Sequence, residues 1–158
     1  MNPLFANLPT TIFTRMSALA VEHGAVNLGQ GFPDFGWPDD VVAKAAEALV
    51  QGSNQYAPMP GLPELRRAVA EHYRHHQGLD VAAEEITVTS GATEALAAAI
   101  AALVSPGDEV LLFQPLYDAY LPLVLRAGGV PRYVRLTPPG WRITREALDE
   151  AFTDRTRL

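Results

Sequence analysis

The sequence predicts an α/β fold: a mostly parallel sheet with helices on both faces, preceded by an N-terminal arm. Three observations predict it. Short β-rich runs, Ile86 to Thr89 and Val110 to Phe113, alternate with segments of helical period. Val110 to Phe113 is apolar on both faces, as a strand covered from two sides must be. Breaks such as Ser105-Pro106-Gly107-Asp108 and Gly128-Gly129 separate the units.

Taken in order, residues to about Gly36 combine prolines, a short helical pattern (Ile12, Met16, Leu19, Ala20) and a glycine-rich loop. Pro38-Asp39-Asp40 then opens a helix, with proline in its first turn, carboxylates at the positive dipole end, and Val41, Val42, Ala45, Ala46 and Leu49 on one face. Gly52 ends it. Pro63 starts a second helix, with Leu65, Ala68, Val69 and Tyr73 at helical spacing and Gly78 as its stop. Ile86-Thr87-Val88-Thr89 predicts a strand leading through a small-residue turn into an alanine-rich helix to about Val104. A strand at Val110 to Phe113, a helix from about Tyr117 to Ala127, a strand near Tyr133 to Leu136 and a helix from about Thr144 complete the pattern. A sheet of about three strands with an open edge results, and it predicts poor solubility for the chain alone.

Composition narrows the function classes. With 48% hydrophobic and 19% charged residues, the 158-residue chain has the profile of a folding domain and not of a disordered tail. Its net charge of −6 offers no basic field for a phosphate backbone, so nucleic acid is not an expected partner. The absence of cysteine excludes disulfides, thiolate metal sites and cysteine nucleophiles, and cytoplasm is the expected compartment. No basic leader and no apolar run near the ~18 residues of a membrane span is seen, so no membrane partner is expected.

The most chemically loaded segment is Thr89-Ser90-Gly91-Ala92-Thr93-Glu94. A strand ending in small residues at a helix start presents unpaired backbone N–H groups, a hydroxyl and the positive end of a helix dipole, which together suit an anion. A capped helix with nothing bound explains the same hexapeptide. Gly29-Gln30-Gly31 lacks both a third glycine and a feeding strand, so it does not predict a dinucleotide fold. His72 and His76 stand at metal-compatible i, i+4 spacing, but no carboxylate accompanies them as a zincin requires; a solvated helix end is the reading, and no metal is expected. Lys44, the sole lysine, lies between Asp40 and Glu47 and predicts a surface ion pair, not a Schiff-base lysine, which must be partly desolvated and face a cofactor.

Four ordered segments carry a family resemblance: Val26-Asn27-Leu28-Gly29-Gln30-Gly31-Phe32-Pro33-Asp34-Phe35, Asn54-Gln55-Tyr56, Thr89-Ser90-Gly91-Ala92-Thr93-Glu94-Ala95-Leu96 and Pro115-Leu116-Tyr117-Asp118-Ala119-Tyr120. With them the sequence resembles the fold-type I aminotransferases of class I and II, nearest the kynurenine, glutamine and methionine aminotransferase group. The resemblance implies that residues 41–158 form the N-terminal part of the large, cofactor-binding domain, and that residues 1–40 form the arm and the start of the small domain. It implies pyridoxal 5'-phosphate as cofactor, with Gly91, Ala92 and Thr93 on its phosphate, Tyr117 stacked on its ring, and Tyr56 reaching the phosphate of a neighbouring subunit in a homodimer. Gly31 would pass near the substrate carboxylate, and Phe13 would wall the substrate pocket.

The implied activity is transfer of an amino group from an aromatic, sulfur-containing or amide amino acid to a 2-oxo acid. The family's Schiff-base lysine, its asparagine and aspartate near the ring, and its carboxylate-binding arginine find no counterpart among these residues. No catalytic residue is therefore assigned, and the chain alone is expected not to turn over. A carbon–sulfur β-lyase on the same fold and an inactive truncated product are the alternatives.

Overall fold

Val110 and Leu112 belong to the strand around which the ordered core is assembled. The structure is a computed structural model and describes residues 2–6, 8–31, 33 and 35–158; Phe32 and Asp34 of the glycine-rich motif lie outside them. Contacts divide the chain into two compact units, residues 1–9 with 89–158, and residues 10–88.

In the first unit, β1 (Glu109–Gln114) and β2 (Val130–Arg135) pair in parallel, with Glu109 opposite Val130 and Gln114 opposite Arg135. Helix α6 (Tyr120–Arg126) makes the crossover between them. Along the other side of β1 lies the segment 155–158: the Glu109 N–H donates to the Arg155 carbonyl at 2.9 Å, the Arg157 N–H to the Glu109 carbonyl at 2.8 Å, and the Leu111 N–H to the Leu158 carbonyl at 2.8 Å. Residue Thr156 bridges Glu109 in the parallel sense, so β1 is central.

Alternation along β1 sorts its side chains onto two faces. Val110 and Leu112 pack with Ile100 and Val104, from helix α5 (Ala92–Leu103) and its C-cap, and with Val124 of α6. Val124 is wholly buried, a burial that contributes roughly 1.5–3 kcal/mol for a valine of this kind. Val134 faces the opposite way, where Ala151 of helix α7 (Arg145–Ala151) is also buried and α7 packs on β2. Helices thus cover both faces, as the alternation of elements predicts.

Among the described residues one buried side chain is charged. Glu109 accepts a hydrogen bond from the Thr153 hydroxyl at 2.8 Å, pairs with Arg155 at 2.5 Å and lies 3.6 Å from Arg132 of β2. The Thr153 hydrogen bond, followed by Arg155 and Arg132, holds its carboxyl below the usual range against the opposing effect of burial. These contacts tie the start of β1 to β2 and to the segment that flanks it.

The second unit contains α2 (Ile12–Glu22), α3 (Asp39–Gln51) and α4 (Pro63–Gln77); a single-turn α1 (Pro3–Ala6) belongs to the first. The sequence signals act as read. Asp39 and Asp40 open α3 and Gly52 caps its end, while Gly78 closes α4 in the left-handed conformation at φ 65°. None of the described residues in this unit is buried. The predicted stripe of α3 is open, with Val41 and Val42 each 52% and Leu49 70% exposed, because the described residues supply no surface to cover it.

Three expectations need correction. Ile86 to Thr89 is no strand: its backbone groups go to a side chain and a loop, the Ile86 carbonyl accepting from Arg66 Nε at 2.8 Å and the Val88 N–H donating to the Pro60 carbonyl at 2.9 Å. β propensity without a neighbouring strand makes no ladder. The second strand starts at Val130 and includes Pro131; the proline is tolerated because the Val130 and Leu136 amides bond toward β1, which leaves position 131 facing outward. Lys44 forms no ion pair within 4.0 Å among the described residues, although Asp40 and Glu47 flank it on its helix.

Candidate functional site

The turn before α5 is built by three bonds within itself. The Gly91 N–H donates to the Thr89 carbonyl at 2.9 Å, the Thr89 hydroxyl donates to the Gly91 carbonyl at 3.1 Å, and the Ser90 N–H donates to the Glu94 carboxylate. They hold Gly91 at φ 83° and ψ 167°, a conformation open in practice only to glycine. Among the described residues no atom lies within 4 Å of where a Gly91 Cβ would stand, so it is the backbone angle and not crowding that demands glycine.

Beyond Gly91 the donors are free. No side chain caps α5, and the amides of Ala92, Thr93 and Glu94 have no acceptor among the described residues. Three aligned N–H groups at the start of a 12-residue helix, with the Thr93 hydroxyl beside them, form a concave donor set for an oxyanion. The positive end of the helix dipole adds to it.

Topology brings this turn toward the carboxyl end of β1. Helix α5 returns into β1 through residues 104–108, and Ile100 and Val104 pack on Val110 and Leu112. A helix of that length spans about 18 Å and a six-residue strand about 20 Å, so the start of α5 comes level with the carboxyl end of β1. Strand order also reverses at β1, since β2 lies on one side of it and residues 155–158 on the other. The crevice beyond the carboxyl ends of strands at such a reversal is the general binding position of open α/β sheets.

Tyr117 follows the end of β1 by three residues. It does not begin a helix, as the sequence suggests; α6 starts at Tyr120, and the Tyr120 N–H donates to the Tyr117 carbonyl at 3.2 Å. Its ring meets that of Tyr120 edge-on, centroids 5.6 Å apart at 68°, and Tyr120 packs against the core. Tyr117 is about half exposed, an aromatic surface braced from behind.

The remaining three site residues belong to the unit 10–88. Phe13 lies on α2 and is half-buried. Gly31 is exposed, with nothing among the described residues within 4 Å of a Cβ placed there. The structure brings their elements together: Asn27 bonds Ser17 of α2 through its amide nitrogen at 3.0 Å and accepts from the Gly29 N–H at 3.0 Å through its oxygen, while a Cβ at Gly29 would meet that of Met16 at 2.9 Å. Tyr56 is fully exposed in the loop after α3. His72 and His76 stack with centroids 4.5 Å apart on the exposed end of α4, and no metal-binding group of three or more ligands occurs among the described residues.

Comparison with known proteins decides the family. Residues 23–158 match the family described as aminotransferase class I and II. The chain belongs to it. Among curated aminotransferases, the methionine aminotransferase of Escherichia coli is 48% identical over 99% of this chain and 42% of its own length. The probable N-succinyldiaminopimelate aminotransferase of Mycobacterium tuberculosis is 51% identical over 94% of this chain and 38% of its own. The solved structure of the E. coli enzyme superposes with a TM-score of 0.92 at 46% identity, covering 99% of this chain and 41% of that one. The aspartate aminotransferase of Thermus thermophilus with maleate gives 0.86 at 35%, covering 99% and 42%. The chain thus spans about two fifths of the length of these aminotransferases, and its α/β fold is that of part of a fold-type I large domain.

Two residues of structural consequence carry no assigned role in the sequence pattern. Glu94 lies within the Thr89–Leu96 motif, and its spacing alone does not mark the Ser90 amide as its partner. Glu109 is the buried first residue of β1, and only its place between a turn and a wholly apolar run points to burial in the sequence.

Proposed function

We propose that the chain supplies the phosphate cradle of a pyridoxal-5'-phosphate-dependent aminotransferase that moves an amino group from an aromatic, sulfur-containing or amide amino acid to a 2-oxo acid. The observation that carries the reading is the set of unbonded amides at Ala92 and Thr93 behind a glycine-only Gly91. That donor set fits a dianionic phosphate better than a neutral ligand. When bound, pyridoxal phosphate supplies an electron sink for the carbon from which the α-proton leaves.

The chain's own residues bind and orient. Gly91 lets the backbone approach the phosphate, the Ala92 and Thr93 amides and the Thr93 hydroxyl donate to it, and Tyr117, braced by Tyr120, offers its face to the ring. Tyr56 extends from its loop to donate to the phosphate held by a second subunit, which makes the working protein a homodimer. Gly31 and Phe13 border the substrate, an assignment supported by the packing of the glycine-rich loop on α2. The domain reading stands with it: residues 1–40 as arm and start of the small domain, 41–158 as the beginning of the large domain, in a cytoplasmic protein.

The test is a titration of the 158-residue chain with pyridoxal phosphate and with pyridoxal, followed by quenching of protein fluorescence. The phosphorylated form should bind at least tenfold more tightly, with Thr93→Ala narrowing the gap and Lys44→Ala leaving it unchanged. Equal affinity for the two compounds would remove the cradle.

A further inference from the structure

Glutamate in the first turn of a helix ordinarily reaches back to the amide of the N-cap. Here that amide is already taken: the Gly91 N–H is bonded to the Thr89 carbonyl at 2.9 Å. The carboxylate of Glu94 therefore reaches one residue further and accepts from the Ser90 N–H. Upstream of Gly91 the turn is closed by its own groups, whereas downstream, at Ala92 and Thr93, it is open. Glu94 is exposed and takes part in no ion pair among the described residues, so no neighbouring cation offsets its charge.

From this we infer that Glu94 is a positioning residue with two opposed effects on the phosphate site, an inference that rests on the cradle reading above. By holding the Ser90 amide it fixes the turn with Gly91 at φ 83°, so that the Ala92 and Thr93 amides stay unbonded and available. That lowers the ordering cost of binding. By carrying a negative charge within the same helical turn it also holds affinity for a dianion below what the donors alone would give. A unit charge about one helical pitch away in water is worth roughly a threefold change in affinity for each charge on the ligand. Glu94 in this way joins firm geometry to moderated affinity.

Two substitutions separate these effects. Glu94→Gln keeps an acceptor and removes the charge, while Glu94→Ala removes both. Hydrogen–deuterium exchange of the ligand-free 158-residue chain reads the hold on the turn. Exchange of the Ser90 amide should accelerate about tenfold or more in Glu94→Ala and change less than about threefold in Glu94→Gln. The affinity ratio of pyridoxal phosphate to pyridoxal reads the charge: it should rise about threefold or more in Glu94→Gln, and it should be lower in Glu94→Ala than in Glu94→Gln because only the alanine also loses the hold on the turn. Far-ultraviolet circular dichroism checks that each variant keeps its helices.

Unchanged exchange in Glu94→Ala would overturn the positioning role. A ratio in Glu94→Gln no higher than in the unmodified chain would overturn the charge effect and leave a helix cap alone, and equal ratios in the two variants would overturn the effect of positioning on affinity. If the unmodified chain itself shows no preference for the phosphorylated compound, the cradle reading fails, whereas the exchange result still reports separately on whether Glu94 holds the turn.

Discussion

Replacing Gly91 with alanine isolates what the backbone of the turn contributes. A Cβ at this position meets no atom within 4 Å, so the substitution adds no collision and removes no contact. What it changes is the energy of φ 83°, ψ 167°, a region that residues with a Cβ occupy at a cost of about 1–3 kcal/mol. Two responses are open to the chain. If the turn keeps its shape, the whole cost appears in unfolding and lowers the melting temperature by roughly 2–12 °C for a domain of this size. If the turn instead relaxes to an ordinary angle, stability is spared and the amides of Ala92 and Thr93 are redirected, at an affinity cost for pyridoxal phosphate of roughly 5- to 150-fold.

Thermal melting and ligand titration on the same sample distinguish the two, and the combined loss should fall within the stated range. Gly31→Ala is the control, since its backbone is outside the left-handed region and its surroundings are empty; it should leave both stability and phosphate affinity near those of the parent. A Gly91→Ala chain that melts and binds like the parent would show that the turn does not depend on the conformation described, and the reasoning from glycine to phosphate would collapse.

Two further outcomes are expected. The carboxyl of Glu109 is held low by Thr153, Arg155 and Arg132, so its stabilising effect is complete above the ordinary glutamate range near 4.3 and drains away as pH falls through the lower folded value. Glu109→Gln should therefore destabilise the chain at pH 7, and the gap between parent and variant in urea midpoint should close as pH is taken below about 4; a gap independent of pH would contradict the assignment. At Gly61 an added Cβ would lie 2.5 Å from Val88 Cγ2 on a backbone at φ 104°. Gly61→Ala should release the 86–88 segment and speed exchange of the Val88 amide, with Val88→Ala in the same chain restoring part of the protection and no restoration arguing against the contact.

Helices and their ends were the most legible part of the sequence, because caps are local. Asp39-Asp40 and Gly52 bound α3 and Gly78 stops α4, with no help needed from tertiary packing. The Ser90–Thr93 turn was legible for the same reason: small residues at a helix start dictate free amides whatever surrounds them. Strands were harder, since pairing depends on residues far away in the chain. Ile86 to Thr89 has the composition of a strand but gives its polar groups to Arg66 and Pro60, whereas Val130-Pro131 has poor composition and is a strand because its proline faces away from β1. Glu109 is not legible as a core residue because a buried carboxylate becomes tolerable only when Thr153 and Arg155, more than forty positions on, fold back to it.

The outward position of Pro131 bears on how the molecule behaves at high concentration. Near the start of the outer border of β2 a pyrrolidine ring stands where an amide hydrogen would otherwise invite a foreign backbone. Fibrillar or edge-to-edge association through that border is obstructed from the start. Aggregation of the isolated chain should instead be seeded elsewhere, above all at the bare valines and leucine along α3, and point charges introduced at Val42 or Leu49 are a more promising route to soluble material than any change to the sheet.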